Sequence, residues 1–384
     1  MTQIIYSFKK KQNQIFLFFI CLMFFALILG CKEKSPEIIQ YGFQKDSDSI
    51  IIGVLYVCAA ETGYSYAHDY GLRQAQRELG MRDEQILRKF NINDFEGIMV
   101  EAAMRDLIAE GANIIIATSW GHMNSCEKLA EEFPNIVFAH ASGYKSNETN
   151  FTNYFGRIYQ ARYLSGVAAG LHTKSNKIGF VAAQDKSNSE VTSGLNAFAM
   201  GVESVNPDAE ILVTVTYSWY DPGAERYAAQ RLIAEGCDII AQHVDTVNPQ
   251  IEAQNAGVWG IGYNTDMKRE APDAVLTSVI WNWSVYYKDM IQSVIDGNFS
   301  TEPYFAGLKE GLVDITPLHQ DFVTEEMLIA VSQAREKIDN GFNVFEGLLE
   351  TNDGQIIGTH GESLPDEVIT SGINWYYRNI RVIR

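Results

Sequence analysis

Residues 107–120 read LIAEGANIIIATSW, and residues 232–245 read LIAEGCDIIAQHVD. Both stretches begin with the same five letters and continue into a short apolar run, and the dipeptide Ile-Gly recurs with similar spacing at 52–53 and 178–179. Gly111 and Gly236 stand where a helix would end, and glycine readily adopts the left-handed conformation that stops a helix. The repeat therefore indicates two similar lobes, each with a helix followed by a buried strand.

Short apolar runs rich in β-branched residues alternate with longer helical patterns from Ile50 onward. These runs are apolar on both faces, as the strands of a parallel sheet covered by helices must be. The pattern predicts an α/β fold with two Rossmann-like lobes, each built on a parallel sheet. Ligands of such sheets bind beyond the carboxyl ends of the strands, where loops vary without disturbing the core.

The beginning of the chain has the pattern of an export signal. Lysines at 9–11 precede an uncharged run at 15–29, which ends in the letters ILGC before the charged stretch KEKSPE. ILGC resembles a bacterial lipobox, which implies that the signal peptide 1–30 is removed and that Cys31 receives a lipid. Residues 31–49 would then form the lipid anchor and a polar tether. A membrane-spanning helix is the alternative, but it needs roughly 20 apolar residues, which is more than the run at 15–29 provides.

Charge and motif content exclude several function classes. The chain has 30 basic and 48 acidic residues, a net charge of −18. Such a charge repels phosphates, so no nucleic-acid partner is expected. The sequence contains no Walker phosphate loop, no GxGxxG after the first strand, no HExxH and no GxSxG. We therefore predict no catalytic residues, no metal site and no cofactor, and we expect a binding protein rather than an enzyme.

Aromatic residues concentrate where the predicted strands end. These positions hold Tyr64, Tyr66, Trp120, Trp219 and Trp281. One interpretation is that each ring plugs the end of a sheet, with its polar group reaching water. As a set, the rings favour a platform on which a flat ligand stacks.

Polar candidates lie at comparable positions. Asp245 in QHVDT and Asp266 in YNTDM each follow a strand directly, and His140 in HASGYK lies near another strand end. A carboxylate accepts hydrogen bonds and so selects N–H or O–H donors on a ligand. Helix capping is the alternative for both aspartates, and a structural role is the alternative for His140. Asp221 precedes Pro222 and is interpreted as a helix cap.

Five motifs occur in a characteristic order: GYSY at 63–66, NYFGRIYQARYLSGVAAG at 153–170, IGYNTD at 261–266, LTSVIWN at 276–282 and GLKEGLVDI at 307–315. Together they resemble the basic membrane protein family of ABC-importer substrate-binding lipoproteins, over about Ile51 to Asp314. This resemblance implies the type I periplasmic-binding-protein fold, with two lobes joined by a three-segment hinge. Because the family includes purine nucleoside receptors, it also implies a purine ligand and an ABC transporter permease as partner.

The chain departs from this family at two places. Nucleoside-binding relatives usually carry an aspartate where this chain has Gly63 and a lysine where it has Trp281. Losing a charge pair and gaining an indole favours a flatter, less hydroxylated ligand. VTYSWYDPGAE at 215–225 resembles the subgroup that binds purine bases such as adenine, and Asp266 aligns with the family's ligand-binding aspartate. The choice between base and nucleoside stays open.

The resemblance also implies how the chain divides between the lobes. We expect lobe 1 at 50–156 plus 279–308, lobe 2 at 157–278 plus 309–345, and a C-terminal tail at 346–384. The hinge would lie near Phe155–Arg157, Leu276–Ser278 and Gly307–Gly311.

The sequence thus predicts an extracytoplasmic, lipid-anchored monomer on the cell membrane that captures a purine for an ABC permease. One alternative is a nucleoside hydrolase or deaminase that uses Asp245, Asp266 and His140 as an acid/base set. The other is a surface lipoprotein that binds a protein partner through its aromatic tail.

Overall fold

The structure is a computed structural model that describes residues 47–93 and 97–383. The predicted signal peptide, Cys31 and most of the predicted tether lie outside these residues. In the part of the chain that is described, no helix is both long enough and apolar enough to cross a membrane.

The strands form two large sheets and one small hairpin. The first sheet contains β1 (Ile52–Leu55), β2 (Ile86–Lys89), β3 (Ile114–Ala117), β4 (Val137–Ala141), β5 (Phe151–Gly156) and β11 (Tyr304–Ala306). The second contains β6 (Lys177–Ala182), β7 (Glu210–Val215), β8 (Ile239–His243), β9 (Trp259–Asn264), β10 (Val275–Trp281), β12 (Val313–Ile315) and β15 (Ile380–Val382). The hairpin pairs β13 (Leu349–Glu350) with β14 (Ile356–Ile357).

Both large sheets have the same strand order, which confirms the duplication predicted from the sequence. The orders are β2-β1-β3-β4-β5-β11 and β7-β6-β8-β9-β10-β12, with β15 added beside β7. Pairing in the two sheets is parallel except between β10 and β12. The predicted α/β class with parallel sheets is therefore confirmed.

Packing explains why LIAEG and Ile-Gly are repeated together. A Cβ atom on Gly53 would lie 2.9 Å from the Cβ of Leu107, and one on Gly179 would lie 3.0 Å from the Cβ of Leu232. The two leucines begin the repeated LIAEG motif, so its helix lies directly on the glycine of the first strand in each lobe. A larger residue at either glycine would push the helix away from the sheet.

Helices cover both sheets. They are α1 (Gly63–Glu78), α2 (Gly97–Ala109), α3 (Met123–Glu132), α4 (Ile158–His172), α5 (Ser189–Glu203), α6 (Pro222–Ala234), α7 (Asn248–Ala256), α8 (Ser284–Ile295), α9 (Glu325–Asp339) and α10 (Asp366–Ser371). Helix α2 is followed by Gly111 with φ 104°, and α6 is followed by Gly236 with φ 89°. The predicted helix ends at both glycines are thus confirmed.

Within the described residues, the chain passes between the two sheets three times. The passages lie between β5 and α4, between β10 and α8, and between β11 and β12. The predicted second hinge segment, Leu276–Ser278, lies inside β10 instead. That strand continues to pair with β9 as far as Ile280 and with β12 as far as Trp281, so the passage follows Trp281. Strand β10 likewise runs across the predicted lobe boundary at 278/279.

The C-terminal tail is part of the second lobe's packing. Strand β15 lies parallel to β7, with Ile380 opposite Ile211. The hydroxyl of Tyr377 donates to Glu203 Oε2 on α5 at 2.6 Å. The tail, which had no predicted structural role, therefore adds an edge strand to the second sheet.

Candidate ligand-binding site

The carboxyl ends of β8 and β9 meet the start of α1, so the two lobes touch at this point. The backbone N–H of Gly63 donates to the carbonyl oxygen of Asp245 at 3.2 Å. A Cβ atom on Gly63 would lie 2.9 Å from that oxygen. The departure from the family at Gly63 therefore falls on a direct contact between the lobes, where a side chain would separate them.

Asp245 is buried beside this contact, with 6% of its surface exposed. Its Oδ1 accepts a hydrogen bond from Asn264 Nδ2 at 2.9 Å. Burial removes water from the carboxylate and raises the pKa of Asp245 to about 8, although the Asn264 hydrogen bond acts in the opposite direction. The carboxyl group is therefore mostly protonated at neutral pH, and it can donate as well as accept.

Arg162 is a completely buried charge on α4. Its Nη1 donates to the carbonyl oxygen of Gln242 at 2.7 Å, and its guanidinium carbon lies 4.2 Å from the ring centroid of Tyr263. Burial lowers the pKa of Arg162 to about 10, so it stays charged at neutral pH. Among the described residues, neither Nε nor Nη2 has a hydrogen-bond partner.

His243 and Glu190 lie next to this arginine. His243 Nε2 is 3.8 Å from Glu190 Oε1, too far for a hydrogen bond, and no described residue pairs with either ring nitrogen of His243. Burial, followed by the charge of Arg162, holds the pKa of His243 well below its usual value, so the ring is neutral. Burial also raises the pKa of Glu190 to about 7, against the influence of Arg162.

We call this group the polar cluster. It consists of Arg162, Glu190, His243, Asp245 and Asn264. The Oδ1 atom of Asn264 likewise has no hydrogen-bond partner within the described ranges. The cluster therefore offers both donors and acceptors in a place that is largely shielded from water.

Aromatic rings border the polar cluster from both lobes. The ring of Trp219 lies edge-on to His243, with centroids 5.8 Å apart. Tyr64 approaches from α1: burial, and after it the nearby carboxyl of Glu190, raises the pKa of Tyr64 well above its usual value. Of the eight predicted ligand-contacting residues, Tyr64, Trp219 and Asp245 are thus brought together.

Trp281 belongs to a buried ring stack next to this region. Its indole lies parallel to Trp283 with centroids 4.5 Å apart, and Trp283 lies parallel to His68 at 4.3 Å. Trp281 Nε1 donates to the hydroxyl of Tyr263 at 3.4 Å, a long hydrogen bond. The indole at this departure from the family is therefore mainly a packing element that reaches the polar cluster through Tyr263.

Two predicted aromatic contacts lie at the surface. Tyr66 is 44% exposed and packs on Tyr70, with ring centroids 6.0 Å apart. Trp120 is 57% exposed and begins a short 3-10 turn after β3. Helix α1 directs Tyr64 inward and Tyr66 outward because they are two residues apart.

Two predicted polar contacts have partners outside the polar cluster. Asp266 is exposed, and its Oδ1 accepts from Lys268 N at 3.0 Å, which caps the turn Met267–Arg269. His140 is buried within the first lobe, where Nε2 lies 3.0 Å from the carbonyl oxygen of Lys145. Burial lowers the pKa of His140 to about 4, so this ring is also neutral. The capping alternative thus describes Asp266, and capping is confirmed for Asp221.

Sequence reasoning did not single out Arg162, Glu190 or Asn264 of the polar cluster. Arg162 is the one charged residue in the stretch IYQARYLSGVAAG, and a charge within such an apolar helix could have marked it. Glu190 looks like an ordinary acidic residue in the first turn of a helix. Asn264 has a positive φ of 66°, which turns the chain at the end of β9, and asparagine tolerates this conformation.

The arrangement suits a polar organic molecule. Nowhere in the described part of the chain do three His, Cys, Asp or Glu residues form a group that could hold a metal. The site instead combines fixed donors on Arg162, an acceptor on Asn264 and the rings of Trp219 and Tyr64.

Comparison with known proteins agrees with the geometry. The Bmp family, described as ABC transporter substrate-binding protein, PnrA-like, matches residues 52–345. The chain belongs to this family. The predicted family is therefore confirmed, and this Bmp-family chain is an ABC transporter substrate-binding protein of the extracytoplasmic side. The family is made up of substrate-binding proteins rather than enzymes.

Individual relatives of this Bmp-family chain differ in what their names state. A purine-binding protein of Brucella abortus (strain 2308) is 32% identical over 335 residues, covering 87% of this chain and 93% of that protein. A putative ABC transporter glucose-binding protein of Haloferax volcanii is 34% identical over 315 residues, covering 81% and 78%. Among solved structures, an ABC transporter solute-binding protein of Aeropyrum pernix K1 matches with a TM-score of 0.64 at 17% identity, covering 76% and 92%. The two-lobe periplasmic-binding fold is thereby confirmed.

Proposed function

We propose that this Bmp-family protein captures a purine between its lobes, a base first and a nucleoside second, and delivers it to an ABC permease. The observation that carries this proposal is the polar cluster. Its buried Arg162, His243 and Asn264 have polar atoms without partners among the described residues. Each such atom costs about 1–3 kcal/mol unless a partner is supplied. A ligand with donors and acceptors along its edge would supply them.

The rings next to the cluster support a flat ligand. Trp219 from the second lobe and Tyr64 from the first border the same polar groups. A stack of a base on an aromatic ring contributes about 1–3 kcal/mol. Two stacks and two charged hydrogen bonds contribute about 5–12 kcal/mol before the cost of association, and micromolar affinity requires about −8 kcal/mol net.

Closure of the lobes would complete the site. The hydrogen bond from Gly63 to Asp245 joins the first turn of α1 to the end of β8. This contact forms only when the two sheets approach each other, so rotation about the three connecting segments would open and shut the cleft. Exclusion of water strengthens each hydrogen bond that the ligand makes.

A lipid at Cys31 would anchor the protein to the membrane. The letters ILGC and the charge pattern before them support this part of the proposal. A Cys31→Ser variant should lose incorporation of a labelled fatty acid and leave the membrane fraction. Unchanged labelling of this variant would contradict the anchor.

Binding is tested by calorimetry and thermal unfolding with adenine, hypoxanthine, adenosine, inosine and glucose. A purine at a hundredfold excess over its Kd should raise the unfolding free energy by about 2.7 kcal/mol. Glucose is included because one relative is named as a putative glucose-binding protein. Stabilisation by glucose with no effect of any purine would overturn the proposal.

Two aspartates provide a matched pair for the same assay. Asp245→Ala removes a buried carboxyl from the polar cluster and should weaken purine binding by at least about tenfold. Asp266→Ala removes an exposed carboxyl that caps a turn and should change Kd by no more than about threefold. The reverse ranking would place the ligand at Asp266 instead.

A further inference from the structure

The unpaired nitrogens of Arg162 lie on one edge of its guanidinium group. Nε–H and one N–H of Nη2 point in the same direction, and this parallel pair matches two neighbouring acceptors. The third nitrogen, Nη1, is held by the carbonyl oxygen of Gln242 at 2.7 Å. The plane of the group is further held by the ring of Tyr263, 4.2 Å from the guanidinium carbon. Arg162 therefore presents a two-donor edge in a fixed orientation.

This edge is buried, and at Gly194 helix α5 places no side chain over it. A Cβ atom on Gly194 would lie 3.6 Å from Arg162 Nε, and glycine leaves that space to other groups. Tyr263 and, after it, Glu190 are close enough to influence Arg162 electrostatically, yet no described group meets hydrogen-bond geometry with Nε or Nη2. Two charged N–H groups without acceptors are costly in such a place. A ligand with two adjacent acceptors would remove this cost.

Purines differ in whether they carry two such acceptors. The edge of guanine offers O6 and N7, both acceptors, and arginine binds this pair with two hydrogen bonds. The same edge of adenine offers N7 as an acceptor but an N6 amino group as a donor. Adenine would therefore place an N–H group against an N–H of Arg162.

We propose that Arg162 binds the O6/N7 edge of the ligand, so that the protein prefers 6-oxopurines, such as hypoxanthine and guanine, over adenine. This inference rests on the proposed function. The preference differs from the one implied by the resemblance of VTYSWYDPGAE to the adenine-binding subgroup. The reason is that Arg162 on α4, which lies outside that stretch, determines it. Asn264 supports the same choice: its unpaired Oδ1 is an acceptor for the N1–H that 6-oxopurines carry and adenine lacks.

The decisive experiment compares four ligands with the full protein by calorimetry: hypoxanthine, adenine, 7-deazahypoxanthine and inosine. Hypoxanthine should bind more tightly than adenine by roughly 5- to 150-fold, the range for one bidentate pair. 7-Deazahypoxanthine retains O6 but lacks the N7 acceptor, and it should bind about tenfold more weakly than hypoxanthine. Inosine retains O6 and N7, and its binding alongside hypoxanthine would extend the preference to nucleosides. These comparisons need no variant and stand even if changes at Arg162 impair folding.

Two variants then assign the effect to Arg162. Arg162→Met should weaken hypoxanthine binding about tenfold or more while changing adenine binding no more than threefold. Arg162→Lys keeps the charge but lacks the parallel pair of donors, so it should also lose the preference. Tighter or equal binding of adenine by the parent protein would overturn the inference, as would equal loss of both ligands in Arg162→Met. If no purine binds at all, the proposed function itself fails.

Discussion

The two copies of the repeated strand end in different environments. After β3, Thr118 is buried and its hydroxyl donates to the carbonyl oxygen of Leu55 at 2.9 Å, while Trp120 is 57% exposed. At the end of β8, the equivalent of Thr118 is His243, which is buried without a partner among the described residues for its ring nitrogens. Asp245 takes the place of Trp120 and is 6% exposed. At the end of β3, the polar side chain Thr118 finds its hydrogen-bond partner within its own lobe. At the end of β8, His243 has no such partner among the described residues.

This difference shows that duplication preserved the core but not the recognition surface. The core is constrained because Leu107 and Leu232 each pack on a glycine of the first strand. The strand ends are free to vary because no sheet packing depends on them. The first lobe contributes Tyr64 through α1, whereas the second contributes all five residues of the polar cluster.

The tryptophans give the largest expected contrast. Trp283 is fully buried between His68 and Trp281, so Trp283→Ala should lower the unfolding free energy by about 3–5 kcal/mol. Trp120→Ala, at the exposed strand end, should lower it by less than about 1 kcal/mol. Denaturant unfolding of both variants provides the measurement. Equal losses would mean that the end of β3 is not the solvent-facing surface described above.

The buried carboxyl of Asp245 predicts a pH dependence of stability. Because burial raises the pKa of Asp245 to about 8, the folded protein keeps a proton that the unfolded chain loses near pH 4. The unfolding free energy should therefore fall as pH rises between these values, by at most about 1.4 kcal/mol per pH unit.

Asp245→Asn removes this titration, so the variant should gain up to about 3 kcal/mol relative to the parent protein between pH 5 and pH 7. Glu190 titrates in both proteins and cancels from the difference. The measurement is denaturant unfolding of the ligand-free proteins at pH 5, 6 and 7. If the unfolding free energies of the two proteins change with pH in parallel, Asp245 is not a protonated buried acid.

The contact between the lobes is tested at Gly63. Gly63→Ala adds a Cβ atom 2.9 Å from the carbonyl oxygen of Asp245, which should hinder closure and weaken purine binding by about tenfold. Gly97→Ala is the matched control, since Gly97 also begins a helix and an added Cβ meets no atom of the described residues within 4 Å. Calorimetry should find normal binding for the control. Normal binding by Gly63→Ala as well would show that this contact is not part of the closed site.

Substitutions in the C-terminal tail, which adds a strand to the second lobe only, should have the smallest effect on the unfolding free energy. Arg157, next to the first passage between the sheets, donates to Asp366 of α10 through Nη2 at 2.6 Å and Nε at 3.3 Å. Asp366→Asn should lower the unfolding free energy by about 1 kcal/mol, because the pair is bidentate but partly open to solvent. Asp48→Asn, in a more exposed pair with Arg82, should produce no measurable change. A null result at Asp366 would mean that the other contacts of the tail, such as β15 and the Tyr377–Glu203 hydrogen bond, hold it without this pair.

The sequence alone was sufficient for the α/β class, the duplication and the family. The fold class and the duplication rest on the spacing of apolar residues and on repeated glycines, and the family rests on five ordered motifs. All of these are local features of the sequence. It also pointed to Asp245, because a polar residue after a buried strand must lie at the sheet's carboxyl edge.

The tertiary structure alone decided which candidates meet. The same local patterns describe Tyr66, Trp120 and Asp266 and their counterparts Tyr64, Trp219 and Asp245. Only packing leaves the first three at the surface and brings the other three to the polar cluster. The contacts of Arg162 with Gln242 and Tyr263 became visible only once α4 was placed near β8 and β9. Burial and hydrogen-bond satisfaction depend on neighbours that are distant in the chain, and no local pattern contains them.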